Sequence, residues 1–246
     1  MSGVSVSVAL EGYLLFVASG SASGPIAGAA AVYNAMCRPG ERVRTMDRDA
    51  TLHRHELGTL VLPSGRLAAC DPLVGVYDVV AFERSVDPGV YGVDLLVAEF
   101  ADNGDQRVAA ALLRFTDEEP ARWELATLPG QDVAGLDDDS FFGYPVDAGV
   151  GCFGSPEALA SLGAILARHF DQQTSAADPI SAAMEPTYVH TWDWANFHVD
   201  STLSVMAFHA GYGDGVYPTF WGLSSVGQPV CALTDLLVLD LIPPSG

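Results

Sequence analysis

The residues best suited to chemistry lie in one segment near the carboxyl-terminal end, GYGDGVYPTFWG at positions 211–222. This segment places the carboxylate of Asp214 among glycines, which permit left-handed backbone and the close approach of another group. A carboxylate on such a loop could act as a general base, ligate a metal ion or bind a cation. The competing interpretation is that Asp214 hydrogen-bonds backbone amides of its own turn.

Two further acids stand at the start of turns. Asp147 lies two positions before Gly149, and Asp71 is followed by Pro72. If the loops of these acids and Asp214 meet at one end of the fold, two carboxylates could divide the roles of acid and base, and three could hold Mg²⁺ or Ca²⁺. We therefore take Asp214 and Asp147 as catalytic candidates. We take Asp71 as a binding candidate whose competing role is a turn residue.

Histidine and cysteine supply the next candidates. His209 precedes the glycine-rich segment and could complete an acid–base set, or it could be a structural histidine on a strand. Cys152 could bind a ligand or act as a nucleophile beside a histidine, but cysteine is also among the most buried residue types. The sequence has no CxxC or HExxH spacing, so it argues against a zinc site and identifies no cofactor.

Aromatic and arginine side chains complete the set of candidate binding residues. Tyr217 and Trp221 follow Asp214 closely and could wall a pocket for a cation by cation–π contact and charge, although core packing explains most aromatic side chains. Arg66 could bind a substrate anion, or it could pair with one of the many acids.

Composition excludes several functions. The 246 residues include 31 acids against 11 bases, for a net charge of −20, and every base is an arginine. The absence of lysine excludes Schiff-base chemistry and the lysine of the phosphate-binding P-loop. The charge argues against nucleic acid and anionic membranes as partners, and it leaves a cationic protein or a small molecule. With neither a basic leader nor 18 consecutive apolar residues, we predict a cytoplasmic protein with reduced thiols.

The elements that must position these residues are mostly strands. Short apolar runs separated by turn signals predict a β-rich α+β fold, with two packed sheets in a sandwich. Asn103-Gly104 predicts a hairpin and Pro63-Ser64-Gly65 a tight turn. One helix is expected near 156–169, where Ser155 can cap the first turn. We assign residues 57–246 to the β-rich domain and residues 1–56 to an N-terminal extension.

Three segments together resemble a bacterial family described only as a domain of unknown function. They are GTLVLPSGR with CDP (58–66 and 70–72), VDAGVGCF (146–153) and GDGVYPTFWG (213–222), within a similar stretch of roughly 57–239. The resemblance implies a shared β-rich fold and no assigned chemistry.

Two classes of function therefore stand open. The first is an acidic binding protein, such as an immunity-type factor that masks a cationic partner, because its charge would steer it to a basic surface. The second is a small-molecule enzyme in which Asp214, Asp147 and His209 perform acid–base or metal-assisted hydrolysis. We favour the binding protein, since the sequence contains no recognised catalytic constellation.

Overall fold

Antiparallel strands dominate the chain. The computed structural model describes residues 4–6, 16–19, 29–38, 40, 42–44, 48–137, 140–172 and 176–239. Within these ranges the strands, numbered β1 to β16, are Val4–Val6, Phe16–Ser19, Arg42–Arg44, Asp49–Leu62, Ala68–Cys70, Gly89–Phe100, Gln106–Arg114, Arg122–Leu125, Ser140–Phe142, Tyr144–Val146, Val150–Gly154, Trp194–His198, Ser204–His209, Gly215–Tyr217, Thr219–Leu223 and Pro229–Asp235.

The described residues also form three α-helices: α1 (Ala29–Met36), α2 (Pro156–Asp171) and α3 (Pro179–Met184). Short 3₁₀ helices occupy Gly75–Asp78, Val133–Gly135 and Glu185–Thr187. The prediction of a mostly β protein is confirmed.

The largest sheet has seven strands in the order β3-β4-β6-β7-β16-β15-β8. Its long strands β6 and β7 form the hairpin expected from Asn103-Gly104. Gly104 adopts φ +70°, and the side-chain oxygen of Asn103 accepts a hydrogen bond from the Asp105 amide at 3.0 Å. A second sheet has the order β12-β13-β11-β5, and two smaller sheets are β1-β2-β9 and β10-β14.

Alternation along β13 shows how the two main sheets pack. Met206 and Phe208 belong to the hydrophobic cluster that contains the seven-stranded sheet, whereas Val205 and Ala207 belong to the cluster that contains α2 and α3. Because successive strand residues point to opposite faces, the four-stranded sheet lies between the seven-stranded sheet and these two helices. The sandwich predicted from the sequence is therefore present, with helices added on the outside.

Helix α1 covers the opposite face of the seven-stranded sheet. The Tyr33 ring lies 4.7 Å from the Phe220 ring, and its hydroxyl donates to Asp235 on β16 at 3.1 Å. The next residue of β15, Trp221, points the other way and packs between Phe82 and Phe115. The layers therefore run α1, seven-stranded sheet, four-stranded sheet, then α2 with α3.

Local sequence signals place two further elements correctly. Ser155 caps α2 by accepting a hydrogen bond from the Ala158 amide at 3.1 Å, so the expected helix near 156–169 is confirmed. The tight turn at Pro63-Ser64-Gly65 is also present, with the Gly65 amide donating to the Leu62 carbonyl at 3.1 Å. The strands on either side of this turn join different sheets, so the turn links the two layers.

The start of the β-rich domain was expected at residue 57. Strand β4 runs without a break from Asp49 to Leu62 and pairs with β6 along its length, with one register shift between Glu56 and Gly58. Residues 49–56 therefore belong to the same sheet as residues 57–62. The N-terminal extension of residues 1–56 supplies β1, β2, α1, β3 and the first half of β4 to the fold.

Candidate functional site

Three loops meet at one end of the four-stranded sheet. Strand β5 ends at Cys70, which is paired with Cys152 of β11, and β11 begins at Val150, which is paired with His209 at the end of β13. These antiparallel pairings bring together the loops that follow β5, precede β11 and follow β13. The loops carry Asp71, Asp147 and Asp214, so the convergence proposed from the sequence does occur.

Asp71 ties the first loop to the second. Its side chain is almost completely buried, with 1% of the residue exposed. One carboxylate oxygen accepts hydrogen bonds from the amides of Leu73 at 2.8 Å and Val74 at 3.1 Å, and the other from the amides of Asp147 at 3.0 Å and Ala148 at 2.8 Å. Since a carboxylate can accept about four hydrogen bonds, these four amides leave Asp71 no free acceptor position for a ligand.

Asp214 joins the third loop to the second. Its Oδ1 accepts a hydrogen bond from the Gly149 amide at 3.0 Å, and the rest of the side chain is exposed. Gly213 adopts φ +111° and Gly211 φ +51°, backbone conformations that other residues rarely adopt. A Cβ atom on Gly211 would also lie 2.6 Å from the Leu236 carbonyl oxygen. Asp214 thus holds the second loop through one oxygen while the residue as a whole is exposed.

Asp147 takes part in these hydrogen bonds through its backbone amide only. Its backbone amide is bound to Asp71, whereas its side chain is exposed. The expected Mg²⁺ or Ca²⁺ site needs three or more oxygen ligands around one point. Within the described ranges, no group of three His, Cys, Asp or Glu side chains is placed to hold a metal ion. The three acids are neighbours because their loops are, and two of them bind backbone.

Tyr217 stabilises the 211–215 loop through its hydroxyl group. Its hydroxyl donates to the Gly213 carbonyl at 2.7 Å and lies 3.3 Å from the Ala210 carbonyl oxygen. Burial, with a smaller contribution from Asp214, raises the pKa of this phenol to about 12. Tyr217 therefore stays neutral over the physiological range and acts as a donor to the loop.

We expect Tyr217→Phe to lower the free energy of unfolding by about 1 kcal/mol near neutral pH, because the Gly213 carbonyl loses its donor. Urea denaturation checks this value, and the exposed Tyr188→Phe variant is the control, with no expected change. Because the folded pKa lies above the usual 10, the contribution from titration of Tyr217 is complete below pH 10 and lost as the pH rises through about 12. Wild type should therefore lose stability faster than Tyr217→Phe across that interval. Equal pH dependence of the two proteins would contradict this role for the phenol.

His209 has a partner other than the three acids. Its Nδ1 lies 3.4 Å from Oδ1 of Asp193, and its backbone amide donates to the Asp193 carbonyl at 3.0 Å. That carboxylate oxygen is buried and makes no hydrogen bond within the part of the chain that the structure describes. His209 shares its strand face with Val205 and Ala207, on the side of α2 and α3.

The remaining candidate residues lie apart from the three loops. Trp221 is 2% exposed in the core, where it packs against Phe82 and Phe115 and does not form a pocket with Asp214. Arg66 is exposed beyond the tight turn before β5, and its backbone pairs with Ser85. Their placement makes neither residue a neighbour of the 211–215 loop.

Cys152 is buried, and burial raises the pKa of its thiol well above the usual value. Its Sγ atom lies 3.6 Å from Sγ of Cys70. The neighbour of this thiol is therefore a second thiol, and the arrangement differs from the cysteine–histidine pair that a nucleophile requires.

Two features escaped the sequence analysis. Asp94 is completely buried, and its Oδ2 accepts hydrogen bonds from Nε of Arg54 at 2.9 Å and Nε of Arg114 at 2.7 Å. An acid in the middle of the apolar run VDLLV (93–97) was the signal that could have identified it. The second feature is an open groove of about 610 Å³ whose lining includes Glu83, Arg84, Trp123, Glu124, Leu125 and Trp221.

One known protein family shares the region that contains these three loops. A family model described as a protein of unknown function (DUF4241) matches residues 60–234. The chain belongs to this family. The stretch matched in this DUF4241 protein begins within β4, ends within β16 and contains Asp71, Asp147 and Asp214. Comparison with curated proteins and with solved structures finds no match. No helix in the described ranges is long and apolar enough to cross a membrane.

Proposed function

We propose that this DUF4241 protein is a binding protein that holds a cationic segment of another protein against its loop surface, defined by Asp147, Tyr212 and Asp214. The observation that carries the proposal is that the three acids have different roles. Asp71 and one oxygen of Asp214 hold the loops together from within. On the same loops Asp147 and Asp214 are exposed, and so is Tyr212, which is 58% exposed.

An exposed tyrosine on a surface with exposed carboxylates is suited to a cationic partner. A tyrosine ring offers both apolar area and a negative face, which attracts guanidinium and ammonium groups. Tyr212 already has one such neighbour, because the guanidinium carbon of Arg107 lies 5.3 Å from its ring centroid. Arginine or lysine side chains of a partner could use the free part of the ring and form ion pairs with Asp147 and Asp214.

The overall charge supports the same partner. A net charge of −20 attracts a basic protein over several ångströms and accelerates the encounter, an effect that salt weakens. Binding over a functional basic face would mask it, which is the immunity-type role considered from the sequence. The immunity-type role applies if the functional surface of the partner is itself cationic.

The alternative of a small-molecule enzyme receives less support from the geometry. Acid–base catalysis by Asp214 and His209 requires both side chains to reach one substrate atom, whereas His209 pairs with Asp193. Metal-assisted hydrolysis requires a ligand cluster, and the described ranges contain none. A rise in melting temperature with Mg²⁺ or Ca²⁺ that Asp214→Asn abolishes would favour the enzyme.

The binding proposal is tested with a nine-residue oligo-arginine peptide as the probe, by calorimetry at low salt. We expect the Asp147→Asn/Tyr212→Ala variant to bind the peptide at least about 10-fold more weakly than wild type, since it removes a charge partner and an aromatic contact from one surface.

The matched control is Asp78→Asn/Tyr77→Ala, which alters an exposed acid and an exposed tyrosine beside α2. It makes the same change in net charge and aromatic content, and we expect it to bind almost as wild type does. Equal weakening in the two double variants would show that net charge alone attracts the peptide, and the loop surface would lose its assigned role.

A further inference from the structure

The four cysteines of the chain form two pairs with different surroundings. Cys70 and Cys152 are directly opposite on β5 and β11, with their sulfur atoms 3.6 Å apart, and both are buried. Cys37 follows α1 and is partly exposed, whereas Cys231 on β16 is buried. Oxidation of a thiol requires both access and thiolate character. The two pairs therefore differ in access to oxidants, because Cys37 is partly exposed whereas Cys70 and Cys152 are both buried.

Contacts on both sides bring Cys37 to Cys231. One turn before Cys37, the Tyr33 hydroxyl is bound to Asp235 on the same strand as Cys231. One residue after Cys37, Arg38 forms an ion pair with Glu119 at 3.0 Å.

The residue after Glu119, Pro120, lies beside Gly222 on the strand next to Cys231. A Cβ atom on Gly222 would lie 2.9 Å from Pro120 and 2.5 Å from Sγ of Cys231. The segments that flank Cys37 thus contact Asp235 on the strand of Cys231 and lead to Gly222, which is paired with Cys231, and Cys37 packs against the hydrophobic cluster that contains Cys231.

The electrostatic surroundings favour a thiolate at Cys37. The neighbouring Cys231 thiol is the largest influence and lowers the pKa of the Cys37 thiol. Burial opposes this effect, while the positive charges of Arg54 and Arg38 support it against Glu119. For Cys231 the pKa is raised well above the usual value, first by the interaction with Cys37 and then by burial. The partly exposed thiol is therefore the more acidic of the two.

We propose that Cys37 and Cys231 form a redox pair, in which a hydroperoxide oxidises Cys37 and Cys231 converts the product to a disulfide. This inference goes beyond the proposed binding function and does not depend on it. It requires a thiol that is accessible, flanked by guanidinium groups and adjacent to a second thiol, and Cys37 meets these conditions.

The reaction balances with hydrogen peroxide as the oxidant. The Cys37 thiolate attacks one peroxide oxygen, so an S–O bond forms, the O–O bond breaks, and the proton released by the thiol leaves in a water molecule. The Cys231 sulfur then attacks the sulfenic sulfur, so an S–S bond forms and the S–O bond breaks. The proton of Cys231 and the departing hydroxide form a second water. The two thiols supply the two electrons that reduce the peroxide.

The first test uses wild-type full-length protein in its reduced form, so that no substitution can disturb folding. Competitive alkylation with iodoacetamide near neutral pH, read by peptide mass spectrometry, should modify Cys37 at least about 10-fold faster than the other three cysteines. Stoichiometric hydrogen peroxide should then give the Cys37–Cys231 disulfide, while Cys70 and Cys152 stay reduced. Preferential oxidation of Cys70 and Cys152 would overturn the proposal.

Two variants separate the roles within the pair. Cys231→Ser should accumulate a Cys37 sulfenic acid that dimedone captures, and Cys37→Ser should slow peroxide consumption about 10-fold. Cys152→Ser is the matched control and should react as wild type does, because its thiol is buried. If Cys37→Ser consumes peroxide at the wild-type rate, or if dimedone captures no more in Cys231→Ser than in wild type, the pair has no redox role.

Discussion

Replacing Asp71 with asparagine should lower the free energy of unfolding by about 4 kcal/mol, because four amides lose a charged acceptor. An asparagine keeps one carbonyl oxygen, which can serve one pair of amides at most. Its NH₂ group must then face the other pair, as donor against donor. Since Asp71 is buried, water cannot take over as the acceptor. Urea denaturation at neutral pH measures the change as a lower midpoint with an unchanged slope.

Asp214→Asn provides the comparison for this prediction. It makes the same chemical change on a neighbouring loop, but Asp214 is exposed and accepts one amide hydrogen bond, from Gly149. We expect a loss below about 1 kcal/mol, since solvent can replace the acceptor. If the two substitutions cost the same, the four contacts of Asp71 do not hold the loops as described.

Replacing Asp94 with alanine should lower the free energy of unfolding by about 3 kcal/mol, because Arg54 and Arg114 would lose their shared counterion. Both guanidinium groups bind the same carboxylate oxygen, and both side chains are mostly shielded from solvent. Two positive charges would then be left close together with nothing between them. Urea denaturation at neutral pH again measures the loss.

Two further variants show whether charge is the cause. Asp102→Ala removes an exposed acid that is paired with Arg48, and we expect little change in the midpoint, as is usual for surface ion pairs. The triple variant Arg54→Met/Asp94→Leu/Arg114→Met removes all three charges and should recover most of the stability lost in Asp94→Ala. A triple variant as unstable as Asp94→Ala would assign the loss to packing, against the electrostatic account.

Local signals in the sequence predicted elements of this fold well. Helix α2 begins after Ser155 because a hydroxyl cap and Pro156 satisfy the first turn without help from the rest of the chain. The hairpin at Asn103-Gly104 is equally local, since the turn needs a residue with positive φ at Gly104.

The pairing of strands was beyond local reasoning. Strands β4 and β5 are separated by a tight turn, yet they belong to different sheets, because the register that buries both apolar faces is set by distant strands. The polar residues 49–55 did not suggest a strand, although β4 begins at Asp49. Its partner β6 supplies the hydrogen bonds that override the weak pattern.

The candidate site was predictable in position but not in chemistry. Turn residues around Asp71, Asp147 and Asp214 indicated loops that could meet, and the loops do meet. The direction of a carboxylate depends on which amides it can reach, and the amides that tie Asp71 and Asp214 to the second loop come from residues 65 to 77 positions away. For the same reason Asp193 was not recognised as the partner of His209.

The four hydrogen bonds of Asp71 have an evolutionary consequence. A homologue that loses this acid must find another acceptor for the amides of Leu73, Val74, Asp147 and Ala148. Substitution at position 71 should therefore coincide, across an alignment of relatives, with insertions, deletions or new polar residues near 147–149. Such covariation would show that relatives keep the motifs around residues 71 and 147 because these residues hold the loops together, whatever each relative recognises.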